Sequence, residues 1–272
     1  MTETESTRSV LDEARRAIEE LEAKQAQNGY DPFGFDPSFL HTILPFSAFL
    51  YRKYFRVITR GIENVPDGRA LLISNHSGQI PLDGMMIAAS QILDRAEPKM
   101  TRAMVEKWVP SLPFVSTFFS RAGQVVGTPA NARLLLDRGA QIMVFPEGAR
   151  GISKPWSRRY QLEEFGLGFM RLALKTGTPI VPIGVVGAEE QIPTIYNAKK
   201  LAGMFGFPSL PLTPTLMVPL PVRYRIYFGE PLLFEGDGDD EDRVIRAHVN
   251  VVKRKIEELV AEGLADRKSL FA

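Results

Sequence analysis

The sequence predicts an α/β protein: a mixed, largely parallel sheet flanked by helices, with an amphipathic helical region at the N-terminus. Three observations carry this. Short apolar runs at residues 70–73, 141–145 and 179–186 have the length and the lack of alternation of strands buried on both faces. Helical patterns separate them, one beginning with Thr128 as N-cap and Pro129 at the first position and stopping at Gly139. A chain of 272 residues suits one large core with additions better than two independent domains.

In chain order, residues 6–27 read as a charged helix with a narrow apolar stripe (Val10, Leu11, Ala14, Ile18, Leu21), docked weakly or free. Residues 29–37 form a Gly/Pro/Asp/Phe linker. Residues 39–57 combine Phe46, Phe49, Tyr51, Tyr54 and Phe55 with Arg52, Lys53 and Arg56. Such a helix suits a membrane interface, or else faces the core with its basic side chains in solvent. A polar connection leads to the first core strand at 70–73, and a helix covers 85–93. Residues 99–105 suit a second strand, 108–119 an apolar segment broken by Pro110 and Pro113, and 124–126 a short strand. After the strand at 141–145, residues 160–175 are amphipathic with Gly177 as stop signal. The strand at 179–186 is followed by a short helix or turn at 191–201. A proline-stiffened lip at 204–221 precedes an alternating strand at 222–228. A long helix over 239–266 closes the chain, with His248 in a structural place. The expected organisation is a polar helix and tail at 1–30, the amphipathic interface region at 31–58, and the α/β domain at 59–272.

Composition removes several function classes. A net charge of +1 offers no bulk attraction to nucleic acid. With no cysteine there is no thiolate nucleophile, disulfide or Cys-based metal site. Three dispersed histidines point away from a His-rich metal centre. The acidic, polar start (residues 1–8) is not read as a secretory signal. The uncharged stretch at 201–222 carries Pro208, Pro211, Pro214, Pro219 and Pro221, which rule out a spanning helix there. The expectation is a protein that is soluble or bound to one membrane face.

No G-x-S-x-G elbow, P-loop or complete G-x-G-x-x-G occurs. What remains is His76 with Asp83, and Glu147 with Arg150, each pair just after a buried strand. In a parallel sheet those strand ends share one edge, so the four groups can line one cleft. A histidine held by a carboxylate serves as a general base, and without a cysteine or elbow serine its simplest substrate is a hydroxyl of the ligand. Arg150, with Lys154, Arg158 and Arg159, forms a local basic cluster able to hold a phosphate; a solvated loop explains Arg158 and Arg159 equally well.

Asn75-His76 followed by Asp83, then Phe145-Pro146-Glu147-Gly148-Ala149-Arg150, then Ile180-Val181-Pro182-Ile183, resembles the glycerolipid acyltransferase family, which includes the enzymes acylating 1-acylglycerol-3-phosphate. The motifs stand in the family's order and span about residues 60–229. The resemblance implies that His76 deprotonates an acceptor hydroxyl and Asp83 orients it, with direct attack on acyl-CoA or acyl carrier protein. No acyl-enzyme, metal or further cofactor is implied. It assigns Glu147 to the acceptor's polar head, Gly148 to close backbone approach, Arg150 (with Lys154) to its phosphate, and Pro182 to the acyl side of the pocket. Its partners would be a lysolipid, the acyl thioester and a membrane surface, on the cytoplasmic side, with no nucleic acid. Two departures stand out. Six residues separate His76 from Asp83 where the family has four, so Gly78 and Pro81 are expected to form an extra turn. Around residues 123–131, where the family often has a phosphate-contacting arginine, the nearest are Arg121 and Arg133. Alternative readings are acyl transfer to a phosphate-free lipid acceptor, or an inactive lipid-binding module.

Overall fold

The strand at the centre of the sheet, β2 (Ala70–Ser74), is buried along its whole length, as its unbroken apolar run requires. It pairs in parallel with β5 (Gln141–Val144) on one side and β6 (Ile180–Val186) on the other. Beyond β5 lie β3 (Thr101–Val105) and the short β4 (Val125–Val126), also parallel. Beyond β6, β9 (Arg225–Phe228) runs antiparallel, and β1 (Ile58–Arg60) pairs in parallel with β9. The resulting order is β1-β9-β6-β2-β5-β3-β4; a separate ribbon pairs β7 (Tyr196–Asn197) with β8 (Pro211–Leu212). This computed structural model describes residues 3–28, 31–76, 80–106, 115–152, 154–194, 196–197, 211–216 and 218–271. Gly78, most of the 108–119 segment, and residues 204–210 and 217 of the 204–221 lip lie outside the described residues.

Helices cover both faces. On one, α3 (Leu82–Leu93) packs Met86 and Ile87 with Tyr51, Phe55, Leu72, Met143 and Ile183. On the other lie α5 (Pro129–Asp137), α7 (Gly168–Thr176) and α9 (Asp242–Ala265), whose Ile245, Val249, Val252, Ile256 and Val260 form one buried stripe. The mixed, mostly parallel sheet between helical layers is the architecture the apolar runs called for.

The N-terminal α1 (Glu3–Asn28) is docked: Val10, Ala14, Ile18 and Leu21 pack against Leu40, Leu44 and Ala48 of α2 (Leu40–Phe49). The 39–57 segment is therefore largely core-facing. After α2 a wide π-turn, Leu50–Tyr54, rotates Tyr51 and Phe55 into the sheet-side core, while Arg52 pairs with Glu13 and Asp94. Phe46 and Phe49 stay outside, 61% and 42% exposed. Among the described residues no helix is long and apolar enough to cross a membrane.

Three local expectations change. β1 lies inside the polar connection, where only three residues pair. The helix expected from residue 160 begins at Gly168, because Tyr160 takes a left-handed backbone (φ +62°) that no helix continues. The helix after β6 is α8 (Ala188–Gln191), earlier than residues 191–201 suggested.

Candidate active site

β2 ends at Ser74, one residue short of the site, and Asn75 extends its pairing with β6 through a side chain. Its carboxamide donates to the Val185 carbonyl (3.0 Å) and accepts the Val185 N–H (2.8 Å). This fixes the backbone just before His76. The imidazole Nδ1 lies 2.8 Å from Asp83 Oδ2. Asp83 is in the first turn of α3, where the helix dipole favours an anion, and its other oxygen accepts the Gly84 N–H (2.8 Å). A carboxylate facing Nδ1 selects the tautomer with the proton there and leaves Nε2 as the basic nitrogen. Phe145 stacks on the imidazole, ring centroids 4.1 Å apart and planes 23° from parallel. The pair thus meets despite six intervening residues, because α3 begins only at Leu82 and brings Asp83 back over His76.

The second motif follows β5. Gly148, with φ +57°, closes a turn whose N–H returns to the Phe145 carbonyl (3.0 Å), and α6 (Ala149–Ile152) starts at once. Gly151 in that helix lies directly on His76: a Cβ there would stand 2.9 Å from the Cβ atoms of both His76 and Glu147. Only glycine permits this approach.

Glu147, only 2% exposed, lies behind His76 and not in the cleft. Its Oε1 accepts the His76 backbone N–H (2.9 Å); its Oε2 accepts the Glu163 N–H (2.7 Å) and Lys154 Nζ (3.3 Å). Lys154 is buried too, and also donates to Glu189 Oε1 (2.9 Å) and the Gln161 carbonyl (3.2 Å). Burial alone would lower its pKa, but the Glu189 and Glu147 carboxylates hold it above the ordinary lysine value. Glu147 and Lys154 thus turn into the wall behind His76, where their polar atoms already have protein partners. Arg150 is exposed and donates to the Glu164 carbonyl (2.8 Å). Arg158 pairs with Glu163, and Arg159 lies over the Trp156 ring. Pro182 is placed away from α3: strand alternation sends Val181 and Ile183 toward α3, whereas the Pro182 ring borders Gly229, at the α9 side of the sheet.

In front of His76 lies a cavity of about 650 Å³ between α2, α3, α4 (Val115–Arg121) and the sheet. One end is bordered by His76, Glu106 and Gly148 and the other by Leu40, Ile92, Met100 and Thr101. His76 and Glu106 are the only ionisable groups among the described lining residues. It follows β3 from end to end, about 16 Å at the usual strand rise.

Sequence reasoning passed over Gly151, Glu106, Glu189 and the stacking role of Phe145. Glu189 carried a usable signal: it follows the buried β6, at the same sheet edge as the two motifs. Gly151 and Glu106 acquire meaning only through tertiary contact.

Ligand groups at the carboxyl ends of parallel strands, with an apolar cavity beneath them, define the class: an α/β protein whose site belongs to the sheet edge. The sequence profile described as Acyltransferase matches residues 56–186, which include His76, Asp83, Glu147 and Arg150. The chain is 37% identical over 254 residues to an uncharacterized protein of Mycobacterium leprae, covering 89% of this chain and 69% of that one. A probable 1-acyl-sn-glycerol-3-phosphate acyltransferase of Mycoplasma pneumoniae is 29% identical over 150 residues, 52% of this chain and 53% of that protein. In structure, the 1-acyl-sn-glycerophosphate acyltransferase PlsC of Thermotoga maritima shares the fold, with a TM-score of 0.52 at 22% identity over 82% of each chain. The chain belongs to the acyltransferase family.

Proposed function

We propose that the protein transfers a fatty acyl group from an acyl thioester, acyl-CoA or acyl carrier protein, to a hydroxyl of a lysophospholipid such as 1-acylglycerol-3-phosphate. The observation that carries this is the His76–Asp83 contact at one end of a mostly apolar cavity. The acyl chain occupies the cavity, which leaves its thioester carbonyl beside Nε2. His76 takes the acceptor's hydroxyl proton as the oxygen attacks the carbonyl carbon, and Asp83 stabilises the imidazolium. Collapse of the tetrahedral species breaks the C–S bond, and the imidazolium returns the proton to the departing thiolate.

A second reading has its own support. Lys154 is committed to two carboxylates, and the Glu106 carboxylate borders the cavity at its His76 end. Both favour an acceptor without a phosphate, such as a mono- or diacylglycerol. Exposed Phe46, Phe49 and Phe118, the last also lining the cavity, support docking on a membrane surface, which this reading places on the cytoplasmic side. Acyl transfer from labelled thioesters to a panel of lysolipid and neutral acceptors tests the reading, with His76→Ala beside the wild type. Full turnover by His76→Ala sinks the mechanism, and the preferred acceptor decides between the two readings.

A further inference from the structure

Glu189 belongs to α8, outside both motifs that build the site. Its Oε1 accepts from Lys154 Nζ (2.9 Å) and its Oε2 from the Tyr160 N–H (2.6 Å). Lys154 also reaches Glu147 Oε2 (3.3 Å), and Glu147 Oε1 accepts the His76 amide (2.9 Å). A continuous run of bonds therefore joins α8 to the backbone of the base. All three side chains are buried, at 2% to 8% exposure, so two carboxylates share one ammonium away from water. Removing that ammonium would leave them facing each other uncompensated. Tyr160 stiffens the arrangement: held in its left-handed conformation, it accepts the Gly187 N–H on its hydroxyl (2.9 Å), so both its ends are tied to the β6–α8 turn.

The long spacing gives this network a task. His76 precedes the first residue of α3 by six positions, so the helix that carries Asp83 does not fix the histidine's backbone. The Glu147 contact does so from the opposite side. We propose that Lys154 and Glu189 are positioning residues: they orient Glu147 on the His76 amide and thereby hold the imidazole against Asp83. This rests on His76 acting as the general base. It departs from a phosphate-binding role for Lys154, which would act on acceptor affinity.

The experiment compares Lys154→Met, Lys154→Arg, Glu189→Gln and the double variant Lys154→Met/Glu189→Gln in the acyl-transfer assay. Hydrogen exchange at the His76 amide is followed in each. Lys154→Met is expected to lower kcat by about 100-fold, the scale of a misplaced catalytic group. Its acceptor KM should stay within about twofold, since no ground-state contact is lost. The double variant, which restores the net charge of the cluster, should recover about tenfold of that loss and slow His76 amide exchange again. Lys154→Arg should keep most of the activity. A raised KM with unchanged kcat in Lys154→Met, or a double variant no better than the single one, overturns the proposal. Should Lys154→Met not fold, the isosteric Glu189→Gln carries the test: unchanged His76 amide exchange there would overturn it. His76→Ala in the same assay scores the base itself, whereas amide exchange scores the tether without reference to turnover.

Discussion

The wall behind His76 and the cavity in front of it are built by opposite means. In the wall every polar atom of Glu147, Lys154 and Glu189 named above meets a partner within 3.3 Å, and position is set by direction and charge. In the cavity the described lining away from His76 and Glu106 is mostly aliphatic, aromatic and thioether, with only Ser47, Thr101 and Gln124 as neutral polar side chains, so shape and length discriminate there. The difference teaches where each kind of substitution should act. If His76 is the proposed base, changes in the wall should move kcat, because they displace it; if the cavity holds the acyl chain, changes there should move the choice of chain, because they alter only how much apolar surface is covered.

The largest effect belongs to the base. His76→Ala should lower kcat by about 10²- to 10⁴-fold, the usual contribution of general base catalysis. Asp83→Asn should fall in the same range, because an amide does not select the Nδ1-protonated tautomer with the same charge. Steady-state kinetics on protein with a wild-type melting curve check both. If Asp83→Asn kept its activity, Asp83 would not be orienting the base.

Next comes Gly151→Ala. One methyl, placed 2.9 Å from the His76 and Glu147 Cβ atoms, must push one of them aside. A shift of this kind costs about 100-fold in kcat, together with about 1–3 kcal/mol of stability from overpacking. A normal kcat with a lowered melting temperature would show that α6 yields and the base does not.

The cavity variants are gentler and selective. Ala103→Phe, in the middle of β3's contribution to the lining, should block long chains while short ones still react. Each methylene excluded forfeits about 0.8 kcal/mol, about fourfold in kcat/KM. Met100→Ala should act the other way. Met100 also borders a second cleft, lined by Lys24, Arg95, Lys99 and Arg138, so shortening it lengthens the cavity toward that side. A chain-length series of acyl thioesters reads both. An equal loss at all lengths would place the acyl chain elsewhere.

The same division explains what was legible beforehand. The buried strands were readable because a strand covered on both faces needs an unbroken apolar run, and β2, β5 and β6 have one. β1 was not, since three residues on the sheet edge need no such run. His76, Asp83 and Glu147 were legible as residues, because polar groups after buried strands fall on one edge. Their directions were not. Nothing in the order of residues says that Glu147 turns inward to a backbone amide, or that Lys154 meets a carboxylate thirty-five positions away. The apolar half was misjudged in the other sense: Tyr51 and Phe55 look like surface anchors beside Arg52 and Lys53, yet the π-turn after α2 rotates them into the core.

What α2 leaves outside gives the smallest effect. Phe46 and Phe49 are exposed and contribute little to the fold, so Phe46→Glu with Phe49→Glu should change stability by only about 0.5 kcal/mol each. If the cavity fills from a membrane, the same pair should weaken binding to vesicles of anionic phospholipid. A buried phenylalanine is worth about 1.5–3 kcal/mol, so each loss should reduce partitioning by about tenfold or more. Turnover on dispersed short-chain substrate should hold, since neither residue is among the described cavity-lining residues. Activity lost equally on vesicles and on dispersed substrate would mean that α2 supports the site through packing and not by bringing it to lipid.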